Sequence, residues 1–287
     1  MKHAICILAH KNWDRLFDLI DTLGSSLVDV YLHIDLKARN DFNRYVITNN
    51  LKCAPNVYII ESKSVSWGYS QLTVELSLFR EVLKLKERYN YVHLISGQDF
   101  PLMPTKSIVD ICNAMNVDFL SYNTGCDKNR YLRRLKYYNI LVPYVRTSFL
   151  CAYIRKFFMF LQICLGVNRL RSCPLTFEVG ANWMSITIES LKYIVDEFPK
   201  YERYFKHGIS AEESYKQMIL KTRQGSRIVN NCKRFVVFDH LQPSPKTLTI
   251  DMLDKIEASD AFFARKFDDS IDRNARLAIK KKILRTR

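Results

Sequence analysis

The chain has 287 residues, of which 48% are hydrophobic and 25% are charged. This composition is typical of a folded globular protein with a large apolar core, and it excludes a disordered chain. The eight Gly and eight Pro are too few for a collagen-like, elastic or low-complexity sequence. The unusual feature is the formal net charge of +15 at pH 7.

The positive charge is concentrated in two segments. Residues 128–177 contain ten basic and no acidic residues, and residues 273–287 contain seven basic and no acidic residues. Such charge is compatible with nucleic-acid binding, but no helix-turn-helix, zinc-finger, RNP or KH pattern accompanies it. We therefore expect no nucleic-acid partner.

Eight cysteines are scattered along the chain without a CxxC pair. This spacing predicts free thiols in a reducing compartment instead of a disulfide framework or a zinc site. The apolar run at residues 4–9 has the length of a strand and no cleavage site after it. The longest apolar stretch, residues 157–167, is shorter than the roughly 20 residues that span a bilayer. We expect a cytoplasmic protein without a membrane-spanning anchor.

Strand and helix patterns alternate from the N-terminus to residue 122. The predicted strands are residues 5–9, 28–34, 57–60, 91–95 and 119–122. The predicted helices are residues 14–23, 72–85 and 106–115. This alternation predicts an α/β fold with a Rossmann-type, mainly parallel sheet flanked by helices, and with ligands at the carboxyl ends of the strands.

The alternation stops in the basic segment and then resumes. Strands are predicted at residues 183–186 and 234–238, and helices at residues 188–198, 212–220, 250–259 and 271–284. Ser210 is placed to cap the second of these helices. Because no repeat or Gly/Ser-rich linker is present, we expect a single domain in three parts, residues 1–122, an inserted basic helical excursion at 123–180, and residues 181–287.

Four segments carry a resemblance to a known family. They are YLHIDLK at 31–37, VSWGYS at 65–70, HLISGQDFPL at 93–102, and SPKTL at 244–248 with AFFARKFD at 261–268. In this order they resemble the core-2/I-branching glycosyltransferases, which include β-1,6-N-acetylglucosaminyltransferases and peptide xylosyltransferases. The resemblance, to a bacterial-type member, covers roughly residues 4–268 and is weakest through 125–180.

The resemblance implies a GT-A-like fold and an inverting transfer of a sugar from a UDP-sugar to a hydroxyl, without a divalent metal. It makes residues 1–122 the nucleotide-sugar-binding half and residues 181–287 the acceptor and catalytic half. The sequence is consistent with metal independence, since no Asp-x-Asp lies at the strand ends. The nearest approaches are His33-Ile-Asp35 and Asp99, and magnesium or manganese usually requires one or two carboxylates.

Without a metal, the pyrophosphate must be neutralised by fixed cations. By motif position these are Arg234 and Lys266, with Lys233 as a one-residue alternative to Arg234. The simpler alternative is that Arg265 and Lys266 only solvate a helix terminus.

Inverting transfer also needs a general base that takes the proton of the acceptor hydroxyl. In the family the base is the second acid of a Pro-Asp-Glu-like element, which reads Ala211-Glu212-Glu213 here and so assigns the base to Glu213. Glu212 remains an alternative, because the element departs from the family pattern. A further alternative is that the two acids have no catalytic role and only stabilise a helix N-terminus through the helix dipole.

The remaining site residues follow the same resemblance. Backbone groups at the end of the first strand are expected to bind the base, Asp35 to approach the uridine, and Trp67-Gly68 to line the donor site. The residues at that strand end are Leu8, Ala9 and His10. His33 is expected to satisfy a hydrogen bond beside the sheet, and Asp99 is either a site residue or a loop cap.

For the acceptor, two residues are candidates. Trp183 is either a stacking platform for a sugar or a core residue. Arg130 is the best-matched basic residue of the region 128–134, with Arg133 and Arg134 beside it, and a solvated helix face is the alternative. The acceptor is expected to be a glycan or a lipid-linked glycan of the bacterial surface. GlcNAc is the favoured donor sugar and xylose the alternative.

Residues 148–167 carry an apolar stripe at helical spacing. Its members are Leu150, Ile154, Phe157, Phe158, Leu161 and Leu165, and the cations Arg146, Arg155, Lys156, Arg169 and Arg171 flank or interrupt it. Apolar bulk beside cations is typical of a helix in a membrane interface, whereas the alternative is a buried helix whose cations reach solvent. The lack of acids favours the membrane, so we expect peripheral attachment to an anionic inner membrane face. A silent, membrane-associated scaffold is the alternative to an enzyme.

Overall fold

The computed structural model describes residues 1–287 except 25, 52–53, 55, 67, 124–127, 145–147, 240–243 and 287. The strands are β1 (Lys2–Ala9), β2 (Val28–Ile34), β3 (Val57–Ile59), β4 (Tyr89–Ser96), β5 (Asp99–Pro101), β6 (Asp118–Phe119), β7 (Met184–Thr187), β8 (Ile228–Val229), β9 (Arg234–Val236) and β10 (Phe263–Arg265). The helices are α1 (Trp13–Leu23), α2 (Arg39–Thr48), α3 (Tyr69–Leu83), α4 (Thr105–Met115), α5 (Lys128–Lys136), α6 (Phe149–Cys164), α7 (Ile188–Phe205), α8 (Tyr215–Leu220), α9 (Leu253–Glu257) and α10 (Asn274–Arg285).

Seven strands form the main sheet, in the order β3-β2-β1-β4-β7-β6-β8. The pairs among β1, β2, β3 and β4 are parallel, as is the pair β6–β8, whereas β7 runs antiparallel to β4 and β6. The prediction of an α/β fold with a mainly parallel sheet is confirmed. A second, three-stranded sheet has the order β5-β10-β9.

Helices cover both faces of the main sheet. Because side chains alternate across a strand, Ile5 and Ile7 of β1 enter one apolar cluster with α1, α4 and α10, whereas Ala4 and Cys6 enter the other with α3, α7 and α8. This two-sided burial explains the continuous apolar run at the start of the chain. The carboxyl ends of β1, β2 and β4 are left uncovered by these helices and can meet a ligand.

Several elements differ from the prediction. Helix α2 and the short strands β5, β8 and β10 were not predicted, because two- or three-residue strands carry no periodicity and depend on their pairing partners. The predicted strand at 119–122 is only Asp118–Phe119. The inserted basic segment forms α5 and α6, as expected.

Across the described part of the chain, no helix is long and apolar enough to cross a bilayer. The six cysteines in that part are free thiols, of which Cys6 and Cys112 are buried. Cys53 and Cys126 lie outside the described residues.

A chain of hydrogen bonds crosses the sheet through two buried histidines. His3 Nδ1 and His93 Nε2 are 3.0 Å apart, His93 Nδ1 lies 2.8 Å from the Ser185 hydroxyl, and His3 Nε2 lies 3.3 Å from the Asn113 side-chain oxygen. Arg234 donates to the Ser185 hydroxyl at 3.1 Å. When both imidazoles are neutral, one direction of donation runs through the whole chain. Arg234 donates to Ser185, Ser185 to His93, His93 to His3, and His3 to Asn113.

This chain predicts a loss of stability in mild acid. Burial lowers the pKa of His3 from 6.5 to about 4 and that of His93 well below 6.5. Below pH 6.5 the histidines of the unfolded chain become protonated, whereas those of the folded protein stay neutral. The free energy of unfolding should therefore fall between pH 6.5 and 4, by about 3 kcal/mol for His3 alone. Urea unfolding across this range checks it. His3→Gln should make the profile less steep, and the remaining slope should come from His93. A flat wild-type profile would contradict the account.

Candidate active site

A cleft lies at the carboxyl ends of β1, β2 and β4, where parallel α/β sheets bind ligands. Its volume is about 360 Å³. The residues that line it are Leu8, Ala9, His10, His33, Asp35, Val65, Ser66, Gln71, Ser96, Gln98, Trp183 and Arg265. The structure therefore brings together five of the predicted site residues, which are Leu8, Ala9, His10, Asp35 and Trp183.

Backbone hydrogen bonds join the strand ends that form the floor of the cleft. The Leu8 carbonyl accepts the Gly97 N–H at 2.8 Å, and the Ala9 carbonyl accepts the Asp35 N–H at 3.0 Å. His33 is buried, and its Nε2 accepts the Lys63 N–H at 3.0 Å. The prediction that His33 satisfies a hydrogen bond beside the sheet is confirmed, and burial lowers its pKa to about 4.

Asp35 faces the cleft from the end of β2. Its Oδ1 accepts the N–H groups of Lys37 at 3.0 Å and Val65 at 3.5 Å, and the Lys37 ammonium donates to the Val65 carbonyl at 2.6 Å. The carboxylate is thus held against the loop that precedes α3. Trp67 lies outside the described residues. Gly68 precedes α3 with φ +126°, a conformation that favours glycine, but it does not line the cleft.

Arg265 places a fixed cation in the cleft. Its Nη1 lies 3.0 Å from Asp99 Oδ1, and its guanidinium lies 4.3 Å from the ring centre of Trp183. Asp99 is fully buried and also accepts the Ser96 N–H at 3.1 Å. Burial raises the pKa of Asp99, and the Arg265 charge opposes this. Asp99 therefore has the structural role, and Trp183 lies in the cleft wall, half-buried.

Arg234 lies in the interior and not in the cleft. Its Nη2 donates to the carbonyls of Met184 at 2.7 Å and Leu94 at 3.2 Å, and it ties β9 to the main sheet. The structure thus does not bring this predicted pyrophosphate ligand to the cleft, because its N–H groups are directed at backbone carbonyls of the strands. The alternative Lys233 pairs with Asp260.

Lys266 follows β10 directly and is half-buried. Its carbonyl accepts the Leu248 N–H at 2.9 Å, which links the two family-like segments near the C-terminus. The neighbouring Arg265, and not Lys266, lines the cleft. The alternative that both cations solvate a helix terminus is wrong, because Arg265 ends a strand and pairs with a buried aspartate.

The acidic pair lies in a turn instead of at a helix start. Residues 211–213 form a single 3₁₀ turn, and α8 begins only at Tyr215. Ser210 adopts φ +51° and makes no capping hydrogen bond through its side chain. The predicted helix start and its Ser210 cap are therefore wrong, and so is the helix-dipole explanation of the acids.

The two acids of this turn differ in their surroundings. The Glu213 side chain is 36% exposed, and its Oε2 lies 2.8 Å from Arg134 Nη1. Burial of its carboxyl raises the pKa of Glu213, while the Arg134 charge opposes the shift. Glu212 is 6% exposed, its Oε2 has no hydrogen-bond partner within the described residues, and burial together with Glu75 raises its pKa to about 8. Of the two acids, Glu213 is therefore the one whose carboxylate is accessible from outside the protein.

Arg134, and not Arg130, makes the contact with this acid. Both residues lie on α5, one helical turn apart, but Arg130 is exposed and does not line the cleft. The predicted basic region thus does reach the candidate base, through a different residue than the motif match suggested.

A buried polar cluster holds the turn and the cleft wall together. Lys216 Nζ lies 2.7 Å from Glu75 Oε2, Asn182 donates to Glu75 Oε1 at 2.6 Å, and Lys216 also donates to Asn182. Asn182 adjoins Trp183, and Lys216 follows the acidic turn by three residues. α3, α8 and the segment that precedes β7 are therefore joined at Glu75.

Gly180 lies in close contact with the backbone of two neighbouring segments, at Ser121 and at Glu213. Its N–H donates to the Glu213 carbonyl at 2.8 Å. A Cβ at this position would lie 1.7 Å from the Ser121 carbonyl oxygen, so no other residue fits without moving backbone. The segment Gly180–Trp183 therefore connects the backbone of the candidate base to the wall of the cleft.

With this geometry established, comparisons with known proteins identify the family. The model of the Core-2/I-Branching enzyme family matches residues 29–260. A stretch of 108 residues is 28% identical to mouse beta-1,3-galactosyl-O-glycosyl-glycoprotein beta-1,6-N-acetylglucosaminyltransferase 4, covering 37% of this chain and 24% of that protein. The human N-acetyllactosaminide beta-1,6-N-acetylglucosaminyl-transferase is 27% identical over 108 residues, covering 37% and 27%.

These alignments span 24% and 27% of the relatives' length. Among solved structures, apo mouse xyloside xylosyltransferase 1 matches 92% of this chain and 97% of its own, at 8% identity and a TM-score of 0.40. The family match extends over most of the chain, from β2 to the residues just before β10. It includes the acidic turn and the part of the cleft formed by β2, β4 and Trp183, whereas Leu8, Ala9, His10 and Arg265 lie outside it. The chain belongs to the Core-2/I-branching enzyme family of glycosyltransferases.

Proposed function

We propose that this chain is an inverting, metal-independent glycosyltransferase that moves a sugar, with GlcNAc favoured, from a UDP-sugar to a hydroxyl of an acceptor sugar. The observation that carries the proposal is the cleft at the ends of β1, β2 and β4. It holds a carboxylate, Asp35, and a fixed guanidinium, Arg265, and its wall at Trp183 is joined through Gly180 to the turn of Glu213.

In this proposal the donor binds along the strand ends. Asp35 accepts hydrogen bonds from the uridine part, and Arg265 neutralises the pyrophosphate together with Lys266, the next residue. Arginine suits this role because its planar guanidinium donates several hydrogen bonds to phosphate. The ion pair with buried Asp99 supports it, since it holds the guanidinium in place before the donor arrives.

Glu213 acts as the general base. Its carboxylate takes the proton of the acceptor hydroxyl while that oxygen attacks the anomeric carbon, the bond from that carbon to the UDP oxygen breaks, and UDP leaves with its electron pair. Arg134 holds the carboxylate in its charged form, and Trp183 offers an aromatic surface to a sugar. We further propose that the acceptor is a glycan or lipid-linked glycan of the bacterial surface and that the enzyme works on the cytoplasmic side of the membrane.

A panel of UDP-sugars tests the donor class. With UDP-GlcNAc, UDP-xylose, UDP-galactose and UDP-glucose, release of UDP should be fastest with UDP-GlcNAc and should persist in excess EDTA. A preference for UDP-xylose would select the alternative donor. Loss of activity on chelation that Mn²⁺ restores would contradict the fixed-cation account and point to Asp35 or Asp99 as metal ligands.

The fixed cations themselves can be tested by nucleotide binding. Lys266→Met, and Arg265→Lys, which keeps a cation beside Asp99, should weaken UDP binding by about 1.5–3 kcal/mol, the range for hydrogen bonds to charged groups. Titration calorimetry measures this. Lys106→Met is the matched control, since Lys106 is an exposed cation on α4 that pairs with Asp110. Unchanged UDP affinity in both test variants would contradict the proposal that the pyrophosphate binds at Arg265 and Lys266.

A further inference from the structure

Helix α6 turns its apolar residues toward solvent. Phe149 is 89% exposed, Tyr153 65% and Phe160 60%. At 100° per residue these three lie within one narrow stripe, and further exposed apolar residues widen it on the same side. The others are Leu150, Ile154, Phe157, Leu161 and Ile163. The alternative of a buried helix whose cations reach solvent is therefore wrong.

The opposite side of α6 attaches to the protein through polar groups. Gln162, the buried residue of this helix, accepts the Tyr138 N–H at 2.7 Å and donates to the Tyr138 carbonyl at 3.0 Å. Arg155 also turns inward, and its guanidinium lies 3.4 Å from the Asn139 side-chain oxygen. Neither of the two apolar clusters contains a residue of α6. The polarity of this helix is inverted relative to an ordinary surface helix.

The segment that carries this face has charge of one sign. Residues 128–177 contain ten basic and no acidic residues, and Arg133, Lys156 and Arg171 are exposed. Lys156 lies on α6 itself, between Ile163 and Phe149 around the helix. An exposed apolar patch of this size marks an interaction site. Cations beside such a patch complement a membrane interface, where anionic headgroups lie above an apolar acyl layer. Arg146 lies outside the described residues.

We propose that α6 is a membrane-docking helix that inserts its exposed aromatic face into an anionic lipid leaflet. The helix is about 24 Å long at 1.5 Å per residue, so it lies in the interface and does not cross. Phe149, Tyr153, Phe157 and Phe160 enter the acyl boundary, while Lys156 and its basic neighbours meet the phosphates.

The position of α6 gives this docking a use that rests on the proposed function. The segment that holds α6 also contacts the turn of the candidate base, because Asn139 N–H donates to the His207 carbonyl and Ile209 N–H donates to the Arg134 carbonyl. Arg134 in turn pairs with Glu213. Docking would therefore bring a lipid-linked acceptor sugar toward Glu213.

Vesicle co-sedimentation tests the proposal. The protein should pellet with vesicles that mix phosphatidylcholine and anionic phosphatidylglycerol, remain in the supernatant with phosphatidylcholine alone, and be released by high salt. Phe157→Glu with Phe160→Glu should reduce binding roughly tenfold or more. The matched control is Ile47→Glu with Ile271→Glu, at apolar residues that are equally exposed but lie elsewhere. Both pairs are exposed, so circular dichroism should show a native fold.

A second readout distinguishes insertion from adsorption. The fluorescence of Tyr153→Trp should shift to the blue on anionic vesicles and stay unchanged on neutral ones. Equal recovery in the supernatant with both vesicle types, or a dimer in light scattering that Phe157→Glu with Phe160→Glu dissociates without any lipid binding, would overturn the proposal. UDP release from a UDP-sugar, measured without vesicles, should be unchanged in this variant, so failure of docking and failure of the proposed function are separate results.

Discussion

Glu213→Gln is expected to lower turnover by about 10²-fold or more, because the amide cannot take the proton of the acceptor hydroxyl. UDP binding should be nearly unchanged, since Glu213 is not among the residues that line the cleft proposed to bind the donor. Initial rates at saturating donor and acceptor, with UDP affinity measured separately, check both parts. The fold should survive, because the side chain is 36% exposed and keeps a hydrogen bond to Arg134 as an amide.

Glu212→Gln is the matched control for this variant. Because the pKa of Glu212 is raised to about 8, Glu212 is mainly protonated at neutral pH, so an amide resembles the native group. Turnover should therefore stay close to wild type. Loss of turnover in Glu212→Gln with near-normal rates in Glu213→Gln would transfer the base to the neighbouring residue.

The pH profile gives an independent test of the same residue. Burial raises the pKa of Glu213 above its ordinary value of 4.5, and a base works only when deprotonated, so turnover should rise with pH through that raised pKa. Arg134 lowers the pKa, so Arg134→Ala should move this limb to higher pH. A limb that does not move would mean that the titrating group is not Glu213.

The second large effect is expected at Lys216, which is fully buried against Glu75. Lys216→Met leaves the Glu75 carboxylate buried without its cation and close to Glu212. Removal of one partner of a buried pair costs about 3–5 kcal/mol in the free energy of unfolding. Urea unfolding with linear extrapolation measures it.

Two comparisons make this result specific. Lys216→Met combined with Glu75→Gln removes both charges and should recover part of the loss, because uncharged partners avoid the desolvated carboxylate. Lys200→Met removes an exposed lysine that pairs with Glu197, and should cost less than about 1 kcal/mol. A loss below that level in Lys216→Met, or a double variant less stable than the single one, would contradict the role of the cluster.

Much of the parallel sheet was predictable because its strands and helices carry clear periodicity. β2 was predicted at its observed bounds, and the strand ends at Ala9 and Asp35 do form the cleft. The three-stranded sheet could not be predicted, because β5 and β10 become strands only by pairing with each other across a large sequence separation. That is also why Arg265 was missed as the cleft cation, since only the β5–β10 pairing brings it to Asp99.

One member of the buried polar cluster of Glu75, Asn182 and Lys216 could be recognised from the sequence. Glu75 lies between Leu72 and Leu76 on the predicted apolar face of α3, where a carboxylate must be paired. Its partner Lys216 could not be identified, because the pairing depends on how α8 packs on α3. For α6 the periodicity predicted the helix and its stripe, but which side faces the protein is set by the polar contacts of Gln162 with Tyr138.

The pairing of β5 with β10 also determines when during synthesis the cleft can form. Asp99 and its partner Arg265 are separated by 166 positions, and a ribosome adds about 5–20 residues per second. The strands β1 to β5 are synthesised first, and the Asp99 carboxylate has no Arg265 to pair with until β10 has been made. The cleft therefore acquires its fixed guanidinium late, when the nascent chain closes this long loop.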